Sequence, residues 1–284
     1  MRSLDQLTAS AAALELLTTT MSDGAAVECL QAGATDQPVS HVLLHGIGSA
    51  AASWLEQLEA ANRLATSRRH RLLAWNAPGY GLSTRLAPTR PVAADYAGRL
   101  WQWLDALGVQ HPVTVVGQSM GCLIAAAAAR AQPARVAGLV LFAPARGYGQ
   151  ADPAERERRR SERLAALQQH GPAGLAERRA PAMLSPGANA DLIGYVRSLM
   201  ARVSPVGYTQ ATEMLAQGDI DADLATWRGP LAVASGEADR ITPPESCRDI
   251  AARAGVDWTN LGAVGHGCPL EAPQRANALL GLAP

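Results

Sequence analysis

Apolar and polar positions along the chain form two kinds of pattern, one typical of strands and one typical of helices, and the order of these patterns predicts the secondary structure. Short apolar runs typical of buried strands are separated by longer stretches in which apolar residues recur every three or four positions, as on one face of a helix. Residues 92–107 show the helical spacing at Leu100, Trp103 and Leu104, and Gly108 then provides a common helix terminus. Strands alternating with helices indicate a parallel α/β sheet. Strands are predicted at residues 26–32, 39–44, 71–75, 112–116, 136–142, 230–235 and 256–261, and a further helix at residues 54–64.

One of these strands leads into a helix through Gly117-Gln118-Ser119-Met120-Gly121. A G-x-S-x-G sequence between strand and helix predicts a nucleophile elbow, a turn so tight that the serine takes a strained backbone conformation. The two outer glycines leave room for the strand and the helix to approach each other. Ser119 is therefore the candidate nucleophile, placed at the tip of a sheet next to the positive end of a helix.

A serine hydroxyl is a poor nucleophile unless a base takes its proton, so partners are expected downstream of Ser119. Asp239 follows a predicted strand and lies at the sheet edge where open α/β folds carry their sites. His266 lies in a glycine-rich loop before a predicted helix. The order serine, acid, histidine is that of a catalytic triad on this type of sheet, with His266 as the base. Glu237 is the alternative acid, but the loop has less length there to turn toward His266.

The loop at residues 45–48 is the candidate oxyanion hole, because it also follows a predicted strand. Acyl transfer needs two donors aimed at the developing negative charge, and backbone amides are rigid enough for this role. The amides of Ile47 and of Met120, the residue after Ser119, are the two candidates. His45 is expected to shape the loop rather than to take part in catalysis.

Five sequence segments, H-G-I-G, N-A-P-G-Y-G-L-S, G-Q-S-M-G, G-E-A-D and G-H-G, together resemble the α/β-hydrolase superfamily, in its branch with a helical cap. The resemblance covers residues 25–282 and is greatest to enol-lactonases, meta-cleavage-product hydrolases and carboxylesterases. It implies a mostly parallel eight-stranded sheet flanked by helices, with a helical cap inserted after the sixth strand.

The composition changes between residues 150 and 218, where a charged stretch and several Gly-Pro breaks replace the strand pattern. We expect this segment, residues 150–218, to form the cap, and residues 1–149 and 219–284 to form the core. The arginines among residues 156–163 are expected to form a solvated helix face rather than an anion site. The candidate pocket residues are Trp54, Gln118, Met183 and Leu199.

Charge and composition exclude several kinds of partner. The 284 residues carry a net charge of zero, which gives no indication of nucleic acid or acidic lipid as a partner. All 25 basic residues are arginine, a composition typical of GC-rich bacterial genomes. The four cysteines are far apart and no cluster of metal-ligating side chains is evident, so neither a metal nor another cofactor is expected.

No signal peptide and no apolar run long enough for a membrane span is evident, so a cytoplasmic protein without membrane contact is expected. Residues before Met21 are expected to form a helix that packs on the body of the protein or contacts a second copy in a homodimer.

The leading functional hypothesis is a cofactor-independent serine hydrolase that acts on a small, rather apolar ester or lactone. An alternative enzyme class is hydrolysis of a carbon–carbon bond in a vinylogous diketone, for which the same triad serves but the pocket must hold a carboxylate. A non-catalytic ligand receptor on the same fold is a third hypothesis, against which the complete triad argues.

Overall fold

The computed structural model describes residues 2–64 and 70–283 of the chain. Within these residues a single eight-stranded sheet organises the protein, and helices flank it. The strands are β1 (Glu15–Thr20), β2 (Ala26–Gly33), β3 (Val39–Leu44), β4 (Arg71–Trp75), β5 (Val113–Gln118), β6 (Val136–Phe142), β7 (Leu231–Ser235) and β8 (Trp258–Asn260). The helices are α1 (Leu4–Ala12), α2 (Leu55–Arg63), α3 (Ala93–Ala106), α4 (Met120–Ala131), α5 (Pro153–Arg179), α6 (Ala190–Ala201), α7 (Pro205–Gln217), α8 (Ile220–Leu224), α9 (Pro244–Arg253), α10 (Cys268–Glu271) and α11 (Pro273–Leu279).

The strands lie in the order β1-β2-β4-β3-β5-β6-β7-β8. β2 pairs antiparallel with β1 and β4, and every other neighbouring pair is parallel. The predicted mostly parallel eight-stranded sheet is thereby confirmed. Because β3 and β5 to β8 run in the same direction, the loops after them meet at one edge of the sheet, where a site can be assembled from distant parts of the sequence.

The sheet is buried on both faces, which explains why its central strands are almost wholly apolar. Along β3, Val42 and Leu44 pack into one core cluster and Leu43 into the other. The first core is built around Trp75 and Trp103, whose rings stack 6.3 Å apart. This double burial holds the strand ends, and therefore the loops that follow them, in fixed positions.

Four helices, α5 to α8, lie between β6 and β7, and the first three of them form the helical insertion that was predicted after the sixth strand. The first of them bends at Gly171 (φ 60°), which Pro172 follows. The buried carboxylate of Glu213 on α7 accepts hydrogen bonds from Arg160 on α5 at 2.8 Å and from Arg90 in the core at 2.9 Å. This cluster ties the first and last cap helices to each other and to the core.

The two ends of the inserted segment are hydrogen-bonded to each other. Gly149 N–H donates to the Gly218 carbonyl at 2.8 Å, and Tyr148 N–H donates to the Leu215 carbonyl at 2.9 Å. Gly147 has φ 82°, and a Cβ atom on it would lie 2.1 Å from the Gly218 carbonyl oxygen. The chain therefore leaves and re-enters the core at one place, which only glycine allows at residue 147.

The arginines of α5 differ in their surroundings, because the helix packs against α6 and α7 on one side. The prediction of a solvated arginine face is correct for Arg158, which is exposed and paired with Glu155 and Glu162. It is wrong for Arg160, which binds the buried Glu213, and for Arg163, which is partly buried.

The expectation of a helix before Met21 is only partly correct. α1 is present, but Glu15–Thr20 forms the edge strand β1, which pairs antiparallel with β2. Three successive threonines favour an extended backbone, since β-branched side chains have higher strand than helix propensity. α1 packs against the cap, where Leu4 N–H donates to Asp191 on α6 at 3.1 Å. Residue 1 of the predicted segment lies outside the described residues.

All four cysteines are free and buried, as expected for residues that pack the interior. Among the described residues, no helix is long and apolar enough to cross a membrane.

The helix α4 lies unusually close to the sheet, and two glycines allow this approach. A Cβ atom on Gly121 would lie 2.1 Å from the Leu44 carbonyl oxygen of β3. A Cβ atom on Gly117 would lie 2.6 Å from the backbone of Cys122. Because these neighbours are backbone atoms, no side-chain rearrangement can make room for a methyl group.

We predict that Gly121→Ala lowers the free energy of unfolding by at least about 2 kcal/mol, because α4 must move away from β3. Gly98→Ala on α3 is the matched control, since a Cβ atom there meets nothing within 4 Å. That substitution is expected to raise the free energy of unfolding by about 0.5–1 kcal/mol through helix propensity. Urea denaturation measures both; equal stability of the two variants would contradict the close approach.

Candidate active site

Ser119 lies at the turn between β5 and α4 in a strained backbone conformation, with φ 54° and ψ −115°. A non-glycine residue at positive φ is uncommon and persists only where the surroundings hold it. Here the Ser119 N–H donates to the Phe142 carbonyl at 3.0 Å, and the Ser119 carbonyl accepts from Cys122 N–H at 3.0 Å. The side chain borders a cavity at the carboxyl edge of the sheet.

Two backbone amides near Ser119 are free of protein acceptors within the described part of the chain, those of Ile47 and Met120. Met120 begins α4, so its N–H also lies at the positive end of the helix. The loop that carries Ile47 comes close to Ser119, since a Cβ atom on Gly46 would lie 3.3 Å from Ser119 Cβ. The Tyr80 hydroxyl donates to the Ile47 carbonyl at 2.8 Å and so holds this loop in place.

His45 is fully buried and both of its ring nitrogens are engaged. Nε2 accepts from Ala77 N–H at 3.0 Å, and Nδ1 therefore carries the proton that it donates to the Gly46 carbonyl at 2.8 Å. Burial lowers the pKa of His45 to about 4. A neutral imidazole with both nitrogens occupied shapes the loop and has no free nitrogen to carry a proton.

His266 and Asp239 form a buried pair, with 2.9 Å between His266 Nδ1 and Asp239 Oδ2. Asp239 Oδ1 accepts from the amides of Ile241 and Thr242 at 2.8 and 3.0 Å, so the carboxylate is fixed within its own turn. Burial raises the pKa of Asp239, but His266 and the hydrogen bonds from Thr242 outweigh it and hold the pKa below its ordinary value. Asp239 is therefore ionised at neutral pH.

Thr242 is a site residue that sequence reasoning missed. Its hydroxyl lies 2.8 Å from Asp239 Oδ2, 3.1 Å from the Ala143 carbonyl and 3.1 Å from His266 Nδ1. The available signal was its position three residues after an aspartate, the spacing at which short side chains close local turns. The hydroxyl connects the loops after β6, β7 and β8.

Glu237, the alternative acid, lies away from His266. Its side chain is exposed and accepts from Asn260 at 2.5 Å. Another glutamate, Glu271, holds the histidine loop instead, since it accepts from Gly265 N–H at 2.7 Å and from the Ser185 hydroxyl of the cap segment at 2.6 Å. The loop that carries His266 is thus anchored to the cap.

Ser119 and His266 border the same cavity but are not hydrogen-bonded to each other. Gln118 bridges their loops, because its amide nitrogen donates to the His266 carbonyl at 3.1 Å. Catalytic hydrogen bonds of this kind often tighten only when a substrate is bound. The arrangement offers a hydroxyl nucleophile, an imidazole oriented by a carboxylate and two free amides around one space.

The cavity has a volume of about 450 Å³, within the range of small-molecule sites. All four candidate pocket residues, Trp54, Gln118, Met183 and Leu199, line it. The pocket lining also includes several polar residues that were not predicted from the sequence. These are Arg146, Tyr148, Glu155, Arg159, Arg163, Arg179 and Tyr208.

No group of three or more His, Cys, Asp or Glu side chains among the described residues could hold a metal ion. Ser119 and His266 line the cavity together with the arginines, whereas Asp239 contacts His266 without being part of the lining.

Comparison with solved structures gives the same architecture. The chain is similar to a hydrolase from Pseudomonas aeruginosa PA01, with a TM-score of 0.80, 26% sequence identity, and coverage of 95% of this chain and 98% of the other. It is also similar to a thermophilic esterase from Thermogutta terrifontis, with a TM-score of 0.79, 24% identity, and coverage of 94% and 97%.

Comparison of sequences agrees with this likeness. The chain is 29% identical over 246 residues to RutD of Caulobacter sp. (strain K31), whose name describes it as a carbamate hydrolase, and the match covers 84% of this chain and 87% of RutD. The family model of the α/β hydrolase fold matches residues 42–273, which include the elbow, both partner loops and the cap. The chain therefore belongs to the α/β-hydrolase fold family and is a hydrolase.

Proposed function

We propose that the protein is a serine hydrolase that cleaves a small carboxylic ester or lactone through an acyl-enzyme on Ser119. One observation carries the proposal: the elbow serine and His266, whose ring is paired with Asp239, border a single cavity, and the two backbone amides without acceptors belong to the elbow and to the adjacent loop at residues 45–48. The likeness to a bacterial hydrolase and to RutD supports hydrolytic chemistry. The choice of an ester or lactone as substrate rests on the arrangement of Ser119, His266 and the two amides, and on the apolar residues that line much of the cavity.

In the first half of the reaction, Ser119 Oγ attacks the substrate carbonyl carbon while His266 Nε2 takes the hydroxyl proton. Asp239 stabilises the imidazolium that forms, and it fixes the proton of the neutral ring on Nδ1. The carbonyl oxygen becomes an oxyanion and accepts hydrogen bonds from the Ile47 and Met120 amides. His266 then gives its proton to the leaving alkoxide oxygen, and the acyl-enzyme remains.

In the second half, water replaces the alcohol. His266 takes a proton from this water as the oxygen attacks the acyl carbon, and the same two amides hold the second oxyanion. When the bond to Ser119 Oγ breaks, His266 returns the proton to the serine and the carboxylic acid is released. For a lactone the alcohol and the acid are parts of one molecule.

We also propose that residues 150–218 act as a cap that selects the acyl group. The side chains of Met183, Val196, Leu199 and Leu215 reach the cavity from this segment, whereas the proposed catalytic groups come from the core. Chemistry and selectivity are thus assigned to different parts of the chain.

We expect Ser119→Ala to lower kcat for p-nitrophenyl esters by about 10⁴- to 10⁶-fold, because the proposed acyl-enzyme forms on the Ser119 hydroxyl. The fold and substrate binding stay intact, since the change removes one oxygen. A fluorophosphonate probe followed by peptide mass spectrometry is expected to label Ser119 in the native protein only. Esterase activity above a tenth of wild type, or cleavage of a dienoate C–C substrate in place of every ester, would overturn the assignment.

Asp239→Asn is expected to lower kcat by about 10²- to 10⁴-fold, because the amide no longer stabilises the imidazolium and favours the wrong tautomer of His266. Glu237→Gln is the matched control in the same loop, and it should change kcat less than threefold since Glu237 is exposed and contacts Asn260. Steady-state kinetics on one ester compare the two. A larger loss at Glu237 would disprove the choice of acid.

Leu199→Ala is expected to move the optimum of a p-nitrophenyl ester series toward longer acyl chains, because the side chain lines the cavity. In a hydrophobic pocket, one methylene group changes the discrimination between two substrates by about 1–3 kcal/mol. Met214→Ala is the matched cap control, since Met214 is fully buried and absent from the cavity lining. It should lower Tm without moving the optimum. If activity depended on acyl-chain length in the same way in both variants and in the native protein, this part of the cap would have no role in substrate specificity.

A further inference from the structure

The cap contributes positive charge to the proposed substrate cavity. Arg159 and Arg163 lie one turn apart on α5, and Arg179 lies near the end of the same helix, beyond the bend. All three line the cavity that contains Ser119. Three arginines of α5 therefore line the space in which the substrate is proposed to bind.

The three arginines differ in their partners. Arg159 is neutralised by Glu155, with 2.6 Å between Nε and Oε1. Arg163 and Arg179, by contrast, have no acidic partner anywhere in residues 2–64 and 70–283. A partly buried cation without a counter-charge is costly, and the cost is relieved when an anion binds.

The side chain of Tyr148 supports the position of Arg163. Its hydroxyl lies 3.4 Å from Arg163 Nη2, and the guanidinium of Arg159 lies 5.2 Å from the centre of its ring. Burial raises the pKa of Tyr148, but the two arginines outweigh it and lower the pKa. The Tyr148 N–H is bound to the Leu215 carbonyl, so this residue is fixed at the base of the cap.

The remainder of the lining is largely apolar, with Met183, Leu199 and Met200 from the cap and Trp54 from the core. The cavity thus combines an apolar surface with two arginines that have no acidic partner among the described residues. This combination fits a molecule that has a hydrocarbon body and one anionic group. Arginine binds carboxylates through two parallel hydrogen bonds, a geometry that a single lysine cannot offer.

We propose that the substrate carries a free carboxylate, separate from the bond that is cleaved, and that Arg163 and Arg179 bind it. The substrate class is then a monoester of a dicarboxylic acid or a lactone bearing a carboxylate. The inference rests on the proposed function, because it names the substrate of that same site.

The test compares two ester series of equal chain length. One series is mono-p-nitrophenyl esters of dicarboxylic acids with five to eight carbons, and the other is the neutral p-nitrophenyl alkanoates. The native protein is expected to prefer the best anionic ester over its neutral counterpart. Arg163→Gln is expected to lower kcat/KM for the anionic ester about 10- to 100-fold, mainly through KM, and to leave the neutral ester within threefold.

Arg158→Gln is the matched control on the same helix, because Arg158 is exposed, paired with two glutamates and absent from the cavity lining. It should leave the ratio of the two kcat/KM values unchanged. Arg179→Gln should lower that ratio as Arg163→Gln does, and Arg163→Lys should restore part of it. Tm is measured for each variant. A variant that is only less stable is expected to lose kcat/KM for the anionic and the neutral ester by the same factor.

Equal losses on both series, or no preference for the anionic series in the native protein, would overturn the carboxylate site while leaving the esterase proposal intact. If no ester is cleaved, the esterase proposal fails and titration calorimetry with glutarate and adipate decides the site by itself. The carboxylate site is supported if the native protein and the Arg158→Gln variant bind the dicarboxylate and the Arg163→Gln variant does not. It is rejected if the native protein binds neither glutarate nor adipate.

Discussion

The close approach of α4 to the sheet is the constraint on which the rest of the site depends. Because Gly121 touches the backbone of β3 and Gly117 that of α4, the turn between β5 and α4 has no room for a relaxed conformation. Ser119 takes the resulting strain, of the order of 1–3 kcal/mol. Met120, the first residue of α4, follows Ser119 directly, and the loop that carries Ile47 comes close to Ser119 at Gly46. The proposed nucleophile and the proposed oxyanion donor of Met120 thus depend on the same close contact between α4 and the sheet.

A second level of order comes from buried polar groups that connect the strand-end loops. The Asp239 carboxylate, the partly buried Thr242 hydroxyl and the His266 ring are hydrogen-bonded to one another, and an unpaired polar group would be costly at the buried Asp239 and His266. Glu271 continues the connection from the histidine loop to the cap. The site is therefore held by hydrogen bonds between loops, while each loop is fixed by the buried strand before it.

The core could be predicted from the sequence because its signals are local. The elbow pattern, the aspartate after β7 and the glycine-rich loop of His266 each sit beside a strand that is visible in the apolar pattern. β1 was missed, since Glu15–Thr20 is an edge strand, mostly exposed on both faces, whose pairing with β2 decides its conformation. Arg163 was misjudged for a related reason: which side of α5 is buried depends on α6 and α7, and no periodicity within α5 itself reveals it.

The paired ends of the cap give the chain a form of modularity. Gly149 and Gly218 are hydrogen-bonded to each other, so the residues between them form an insertion with adjacent ends in a continuous core. An insertion with adjacent ends can become longer or shorter without shifting the strands on either side, since the distance between its two ends stays the same. In evolution, and equally in the laboratory, a different cap can therefore be grafted at this junction onto the same strands, if it also replaces the Ser185 contact that anchors the loop of His266.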